Sequence, residues 1–138
     1  MGEKDTGEQE KQTVGQLERE LSQKLQALYR EQLGQRPEKA TCQLFSSKVA
    51  VLLEGAVTQP ERLLADDGHE ELAEQVRTDL DQAMRPRIQQ LVEEVLGVEV
   101  LELLSDAALD SGRTAIIIIL ASPPDVRNPE AIPKTKNK

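Results

Sequence analysis

With 138 residues, 38% of them apolar and 30% charged, the chain has the make-up of one globular domain rather than of a disordered or fibrous protein. Its formal charge is −8; residues 1–13 carry −2 and residues 122–138 carry +2, so the segment between them holds the full −8. An acidic body repels phosphate backbones and anionic lipid, and Tyr29 and Phe45 are the only aromatics, which argues against nucleic-acid binding and membrane-surface binding.

Residues 1–13 have no large apolar side chain after Met1, which predicts a flexible N-terminal tail. The opening Met1-Gly2-Glu3-Lys4-Asp5-Thr6 fits the myristoylation pattern, but a pattern this loose arises often by chance, and a solvated tail is the simpler reading. From Val14 to Leu33, Leu17, Leu21, Leu25 and Leu28 draw one stripe down a helix, which Gly34 ends and Pro37 keeps from restarting. Lys39–Phe45 and Lys48–Gly55 read as a β-hairpin turning at Ser46-Ser47. Its second strand puts Val49, Val51 and Leu53 on one face and Ala50 and Leu52 on the other, both apolar.

Thr58-Gln59-Pro60-Glu61 is a capping box with proline in the first turn, predicting a short helix that carries Leu63 and Leu64 inward. A long helix follows over His69–Val95, with an apolar stripe of Leu72, Val76, Leu80, Met84, Ile88, Leu91 and Val95. Pro86 is expected to kink this helix without ending it, and Gly97 to stop it. Val98–Ser105 and Arg113–Ala121 read as two more strands, the last apolar on both faces and hence central or doubly covered. The prolines from Pro123 onward and the Lys134–Lys138 end predict a mobile C-terminal tail over 122–138. The sum is a single α+β domain over 14–121 with a mainly antiparallel four-stranded sheet. Two apolar strand faces call for a second cover, either the first helix or another copy, and a homodimer is the expectation.

Chemistry is hard to find. Cys42 is the single cysteine, so no internal disulfide can form, which fits a reducing cytoplasm. It falls on a strand between Ala40 and Leu44, where cysteine is usually a small apolar filler; a thiol–imidazole pair with His69 is the alternative. His69 sits among Asp66, Asp67, Glu70 and Glu71, which lack the ligand spacing of a calcium loop and suit a helix start. No metal, phosphate-loop, cofactor or hydrolase motif occurs, and no apolar run is long enough to span a membrane or to form a secretory signal. The expectation is therefore a non-enzymatic protein. Arg77, Arg85 and Arg87 are read as pairing with Glu74, Asp81 and other acids along the helix surface, Arg77 and Arg85 being the alternative anion contacts of a small-molecule sensor.

Several stretches together resemble one family of small bacterial proteins. They are Tyr29-Arg30-Glu31-Gln32-Leu33-Gly34 through Pro37, Leu53-Glu54-Gly55 leading into Thr58-x-x-Glu61, the helix with Arg77, Glu93-Glu94-Val95-Leu96-Gly97, and Asp106 with Gly112 before the last strand. The pattern, from Leu17 to Leu120, is similar to the MpsC family, named for one component of a sodium-translocating membrane-potential-generating system. The family usually has a second glycine before the first proline, where this chain has Arg36. The Gln-rich body and the Pro123–Pro129 stretch resemble a cyanobacterial branch. The resemblance implies an accessory component of a membrane machine for cation-coupled or inorganic-carbon uptake, docked on a protein partner whose companions carry the transport. It assigns no mechanism to Gly34, Pro37, Thr58, Glu61, Arg77, Gly97, Asp106 or Gly112, which are structural or interaction residues on this reading.

Overall fold

The computed structural model describes residues 11–134. The chain runs α1 (Val14–Leu33), β1 (Lys39–Phe45), β2 (Lys48–Glu54), α2 (Gln59–Asp66), α3 (Glu70–Leu96), β3 (Val100–Ala108), β4 (Arg113–Leu120) and a 3-10 turn at Pro129–Ala131. The strands form one antiparallel sheet in the order β1-β2-β4-β3, so the Ile-rich β4 is internal, as its composition predicts. This is the α+β domain that the order of elements in the sequence indicates.

Alternation sets the packing. Cys42, Leu44, Val49, Val51, Leu53, Leu103, Ile116 and Ile118 are buried on one sheet face, under Leu17, Leu21, Leu25 and Tyr29 of α1 and Met84, Ile88 and Val92 of α3. Both long helices therefore lie on the same face, and α1 is not the second cover that the doubly apolar strands call for. On the other face Leu52 and Leu104 are exposed, and Ala50, Ile117 and Ile119 are only half-buried.

Both sheet edges are blunted by helix side chains. The Leu44 N–H of edge strand β1 donates to the Glu18 carboxylate (2.8 Å). On β3, Val100 N–H donates to Glu93 (2.9 Å), and Arg85 donates to the Leu103 carbonyl (3.3 Å). Such capping removes groups that an added strand would need.

Several sequence expectations change. The strand β3 starts two residues later and ends three residues later than predicted, because Ala108 still pairs with Arg113 across the ladder; Asp106 thus lies within the strand, opposite Ala115. In α3 the buried stripe is Ala73, Arg77, Met84, Ile88, Val92 and Leu96, while Leu72 is 51% exposed and Val76 and Leu80 are half-buried. The helix continues through Pro86. In α2 the inward residue is Glu61, whereas Leu63 is 70% exposed.

The segment after β4 is not a loose tail as far as Lys134. Val126 and Ile132 are buried in the main core, Asn128 accepts from Val14 N–H (2.9 Å), and Ser46 N–H donates to the Pro133 carbonyl (2.6 Å). At the other end Thr13 caps α1 through a box with Gln16, and the Gln12 carbonyl accepts from Arg127 N–H (2.9 Å). Two aliphatic anchors are enough to hold a proline-rich segment whose backbone is already extended. The rest of both predicted tails, with the Gly2 pattern, lies outside the described residues.

Candidate functional site

Five of the eight signature residues converge on one corner. Thr58 caps α2: its hydroxyl accepts from Glu61 N–H (3.5 Å), and its own N–H donates to Glu61 Oε1 (3.0 Å). A capping glutamate usually stays in water, but this one is 0% exposed. Arg77, one helix away and only 4% exposed, meets it as a planar fork: Nε donates to Oε2 (2.6 Å) and Nη2 to Oε1. The Thr58 hydroxyl adds a bond to Oε1 (2.8 Å). The carboxylate is saturated by its cap and its counterion, as a buried charge must be.

The expected surface pairing of the arginines is thus corrected. Arg77 points into the protein and joins α2 to α3, keeping one long contact to Asp81 (Nη1 to Oδ1, 3.4 Å). Arg85 binds the Leu103 carbonyl and Arg87 the Ala83 carbonyl (3.2 Å). The guanidinium's planar geometry and weak hydration suit it to this buried role.

Proton affinities follow from the surroundings. Burial pushes the Glu61 carboxyl up, but the bonds from Arg77 and Thr58 outweigh it and hold the group below its usual value. Burial opposes the charge on Arg77 too, and Glu61 more than restores it, so the guanidinium titrates above its ordinary value. Asp81 goes the other way: burial raises it, Glu61 adds repulsion, and the distant fork of Arg77 offsets only part. Burial, assisted by the Asp81 charge, pushes the Tyr29 phenol up to about 12.

Gly112 joins this corner through its backbone, and the other three signature residues shape turns elsewhere in the fold. Ala56 N–H donates to the Gly112 carbonyl (3.1 Å), which ties the β3–β4 turn to the segment leading into Thr58. Gly34 and Gly97 end α1 and α3 in the left-handed region (φ 79° and 70°), each N–H bonding back to Arg30 and Glu93 carbonyls (2.9 Å). The Pro37 carbonyl accepts from Gln26 (2.8 Å), and Arg36 reaches the same side chain (3.2 Å), so α1 holds the loop from Gly34 to Pro37. Gly55 also has positive φ, and a Cβ there would fall 2.7 Å from the Glu38 side chain.

Beside the ion pair is a cleft of about 380 Å³ between Glu74–Asp81 of α3 and residues 106–110. Glu74, Asp81, Asp106 and Asp110 line it with Arg77 and Thr78. Asp106, the fifth signature residue of this corner, lines the same cleft as Arg77. With the guanidinium committed to Glu61, the cleft is acidic and lacks the free cations expected of an anion site.

Cys42 and His69 are not brought together. Cys42 is buried under α1, where burial, opposed in part by a hydrogen bond with Ser22, pushes its thiol up to about 11. His69 is exposed at the start of α3, 3.7 Å from Asp67. Among the described residues no three His, Cys, Asp or Glu side chains are placed to hold a metal, and no helix is long and apolar enough to cross a membrane.

Beyond the signature set the site draws in Asp81, expected only as a surface partner of the arginines, and Tyr29. Asp81 lies four residues after Arg77, a visible helical pair, and Tyr29 continues the α1 stripe four residues beyond Leu25. Both signals are common along helices, which is why neither stands out.

The fold and corner define a small α+β domain whose signature is an internal ion-paired clamp with an acidic cleft beside it. The chain belongs to the MpsC family: the family model described as Na+-translocating membrane potential-generating system (MpsC) matches residues 13–122. Neither a curated protein nor a solved structure matches the chain.

Proposed function

We propose that this chain is a non-enzymatic accessory or regulatory protein, cytoplasmic and peripheral to the inner membrane, that docks as a homodimer on a partner in a membrane system for cation-coupled or inorganic-carbon uptake. The observation that carries it is the fate of the signature side chains: Glu61 and Arg77 are spent on each other and on Thr58 inside a member of a family named for Na+ translocation. An arginine and a glutamate sealed in this way build a rigid corner and are themselves engaged in holding it together. A tagged copy expressed in its own cells, cross-linked and purified, is expected to bring down a component of such a membrane complex in stoichiometric amount. Recovery of the protein alone, from both membrane and soluble fractions, sinks the docking part of the reading.

One observation favours a second reading. The cleft beside Arg77 is where a sensor would hold a ligand between sheet and long helix. Its four carboxylates favour a cation, and Arg77 and Arg85 are both engaged, so the anion or nucleotide form loses its contacts. A melting-temperature screen with mono- and divalent cations, polyamines, nucleotides, bicarbonate and carboxylates separates the cases. A rise of several degrees with one cation supports sensing, and a flat response across all of them removes it.

A further inference from the structure

We infer that the uncovered sheet face is the seam of the dimer, two copies packing face to face about a two-fold axis parallel to the strands. This rests on the homodimer element of the proposed function and is independent of any partner. The ladder places the residues of this face in cross-strand rows. Leu52 stands beside Ala115 and then Asp106, Ala50 beside Ile117 and then Leu104, and Lys48 beside Ile119 and then Glu102, with Thr41, Gln43 and Phe45 of β1 completing these rows; Arg113 meets Glu54 at the end (3.5 Å).

An axis along the strands keeps each row in place and reverses its order, so β2 of one copy faces β4 of the other. Leu52 then meets the second copy's Ala115, and Ile117 its Ala50, each large side chain over a small one. Complementary volumes of this kind are what close sheet packing requires. Glu54 and Arg113 exchange partners across the seam, forming two interchain ion pairs from two intrachain ones. Matched volumes in the two central rows and the exchanged Glu54–Arg113 pairs, with Asp106 and Glu102 at the polar rim, point to another copy rather than to an unrelated protein.

The edges give the second argument. Glu18, Glu93 and Arg85 occupy hydrogen-bonding groups of both edge strands, so a copy cannot easily add strand to strand, and the open face is the part of the sheet left to pair. Four strands at ~4.8 Å and about seven residues at ~3.4 Å give a plan area on the order of 450 Å². The corrugated contact exceeds that, which puts the seam at the small end of specific interfaces and predicts a reversible dimer, with Kd on the order of micromolar.

Sedimentation velocity of the whole chain from about 1 to 100 µM tests this, spanning the affinity expected of an interface of that size. The wild type is expected to pass from monomer to dimer over that range. Leu52→Glu, on a partly exposed site and so expected to fold with an unchanged circular-dichroism spectrum, should weaken the dimer at least about tenfold, since a buried unpaired charge is costly. Arg113→Glu should weaken it as well, and Glu54→Arg combined with Arg113→Glu should restore it. A dimeric wild type that tolerates Leu52→Glu overturns the seam while leaving the homodimer standing; a wild type monomeric throughout overturns both. Should Leu52→Glu unfold, the Glu54 and Arg113 series decides by itself, and loss without rescue in the double variant overturns the arrangement.

Discussion

The protein closes its interior in two different ways. Under the sheet, Leu21, Leu25, Val49, Leu53, Ile116 and Ile118 are almost completely buried and carry no polar atoms in their side chains. At the α2–α3 corner the same degree of burial is given to a glutamate, an arginine and a threonine. In the first region cohesion comes from many non-directional contacts, and close neighbours can compensate for one another. In the second it comes from a few directional bonds, and losing one partner strands the other charge out of water. The difference teaches where the chain tolerates change: the aliphatic side should be plastic to swaps of similar volume, and the polar corner to almost nothing except joint replacement.

The largest effect is expected at the corner. Arg77→Ala leaves Glu61 buried without a counterion and should cost about 3–5 kcal/mol in urea unfolding. Replacing both partners by leucine should recover most of that loss. A single-variant cost below about 1 kcal/mol would show that the pair is solvated in solution and end the contrast.

Next comes the aliphatic side, where Leu25→Ala should cost about 3 kcal/mol, read by the same unfolding curves. Leu25→Met, which keeps the volume, should cost less than about 1.5 kcal/mol. Equal losses for the two would contradict a plastic core.

A smaller effect separates charge from shape. Glu61→Gln keeps the outline and should cost about 2 kcal/mol at neutral pH. The Glu61 carboxyl titrates below its unfolded value in the fold, so its stabilisation is complete above the unfolded value of about 4.3 and fades as pH falls through the depressed one. The wild-type advantage over Glu61→Gln should therefore vanish in acid; a difference that persists there refutes the assigned ion pair.

The smallest effect has the opposite sign. Asp81 titrates above its unfolded value, so its ionised form opposes folding, and Asp81→Asn should stabilise by less than about 1 kcal/mol at neutral pH. That gain should shrink as pH falls through the raised folded value, and be gone below about 3.9. A melting series against pH on the two proteins checks it; a loss of stability at neutral pH would mean that the 3.4 Å contact to Arg77 outweighs burial.

Much of the fold was legible in the sequence because it is written in local period. The leucine spacing of α1, the alternation of β2 and the Thr58–Glu61 box each encode their element within a few residues, and the observed elements follow them closely. The site was only half legible. Thr58, Glu61, Arg77, Asp106 and Gly112 came forward through their pattern, but nothing along the chain says that residues 61 and 77 meet, since their contact depends on how α2 folds back on α3. The same cause explains the misjudged faces. Leu63 and Leu72 have the side chains of a core stripe, yet the buried positions went to Glu61, Ala73 and Arg77, because a saturated ion pair already filled that corner.

By itself, then, the sequence determined the elements, the internal place of the Ile-rich strand and the absence of recognisable catalytic motifs, because these rest on neighbouring residues and on composition. Tertiary structure alone decided that both long helices share one sheet face, that the carboxylate of a helix cap is locked under a guanidinium, and that Val126 and Ile132 pin the proline-rich end into the core. Each of these is a long-range contact, won by burial and by charge satisfaction between groups far apart in the chain, and local periodicity carries no information about such distances.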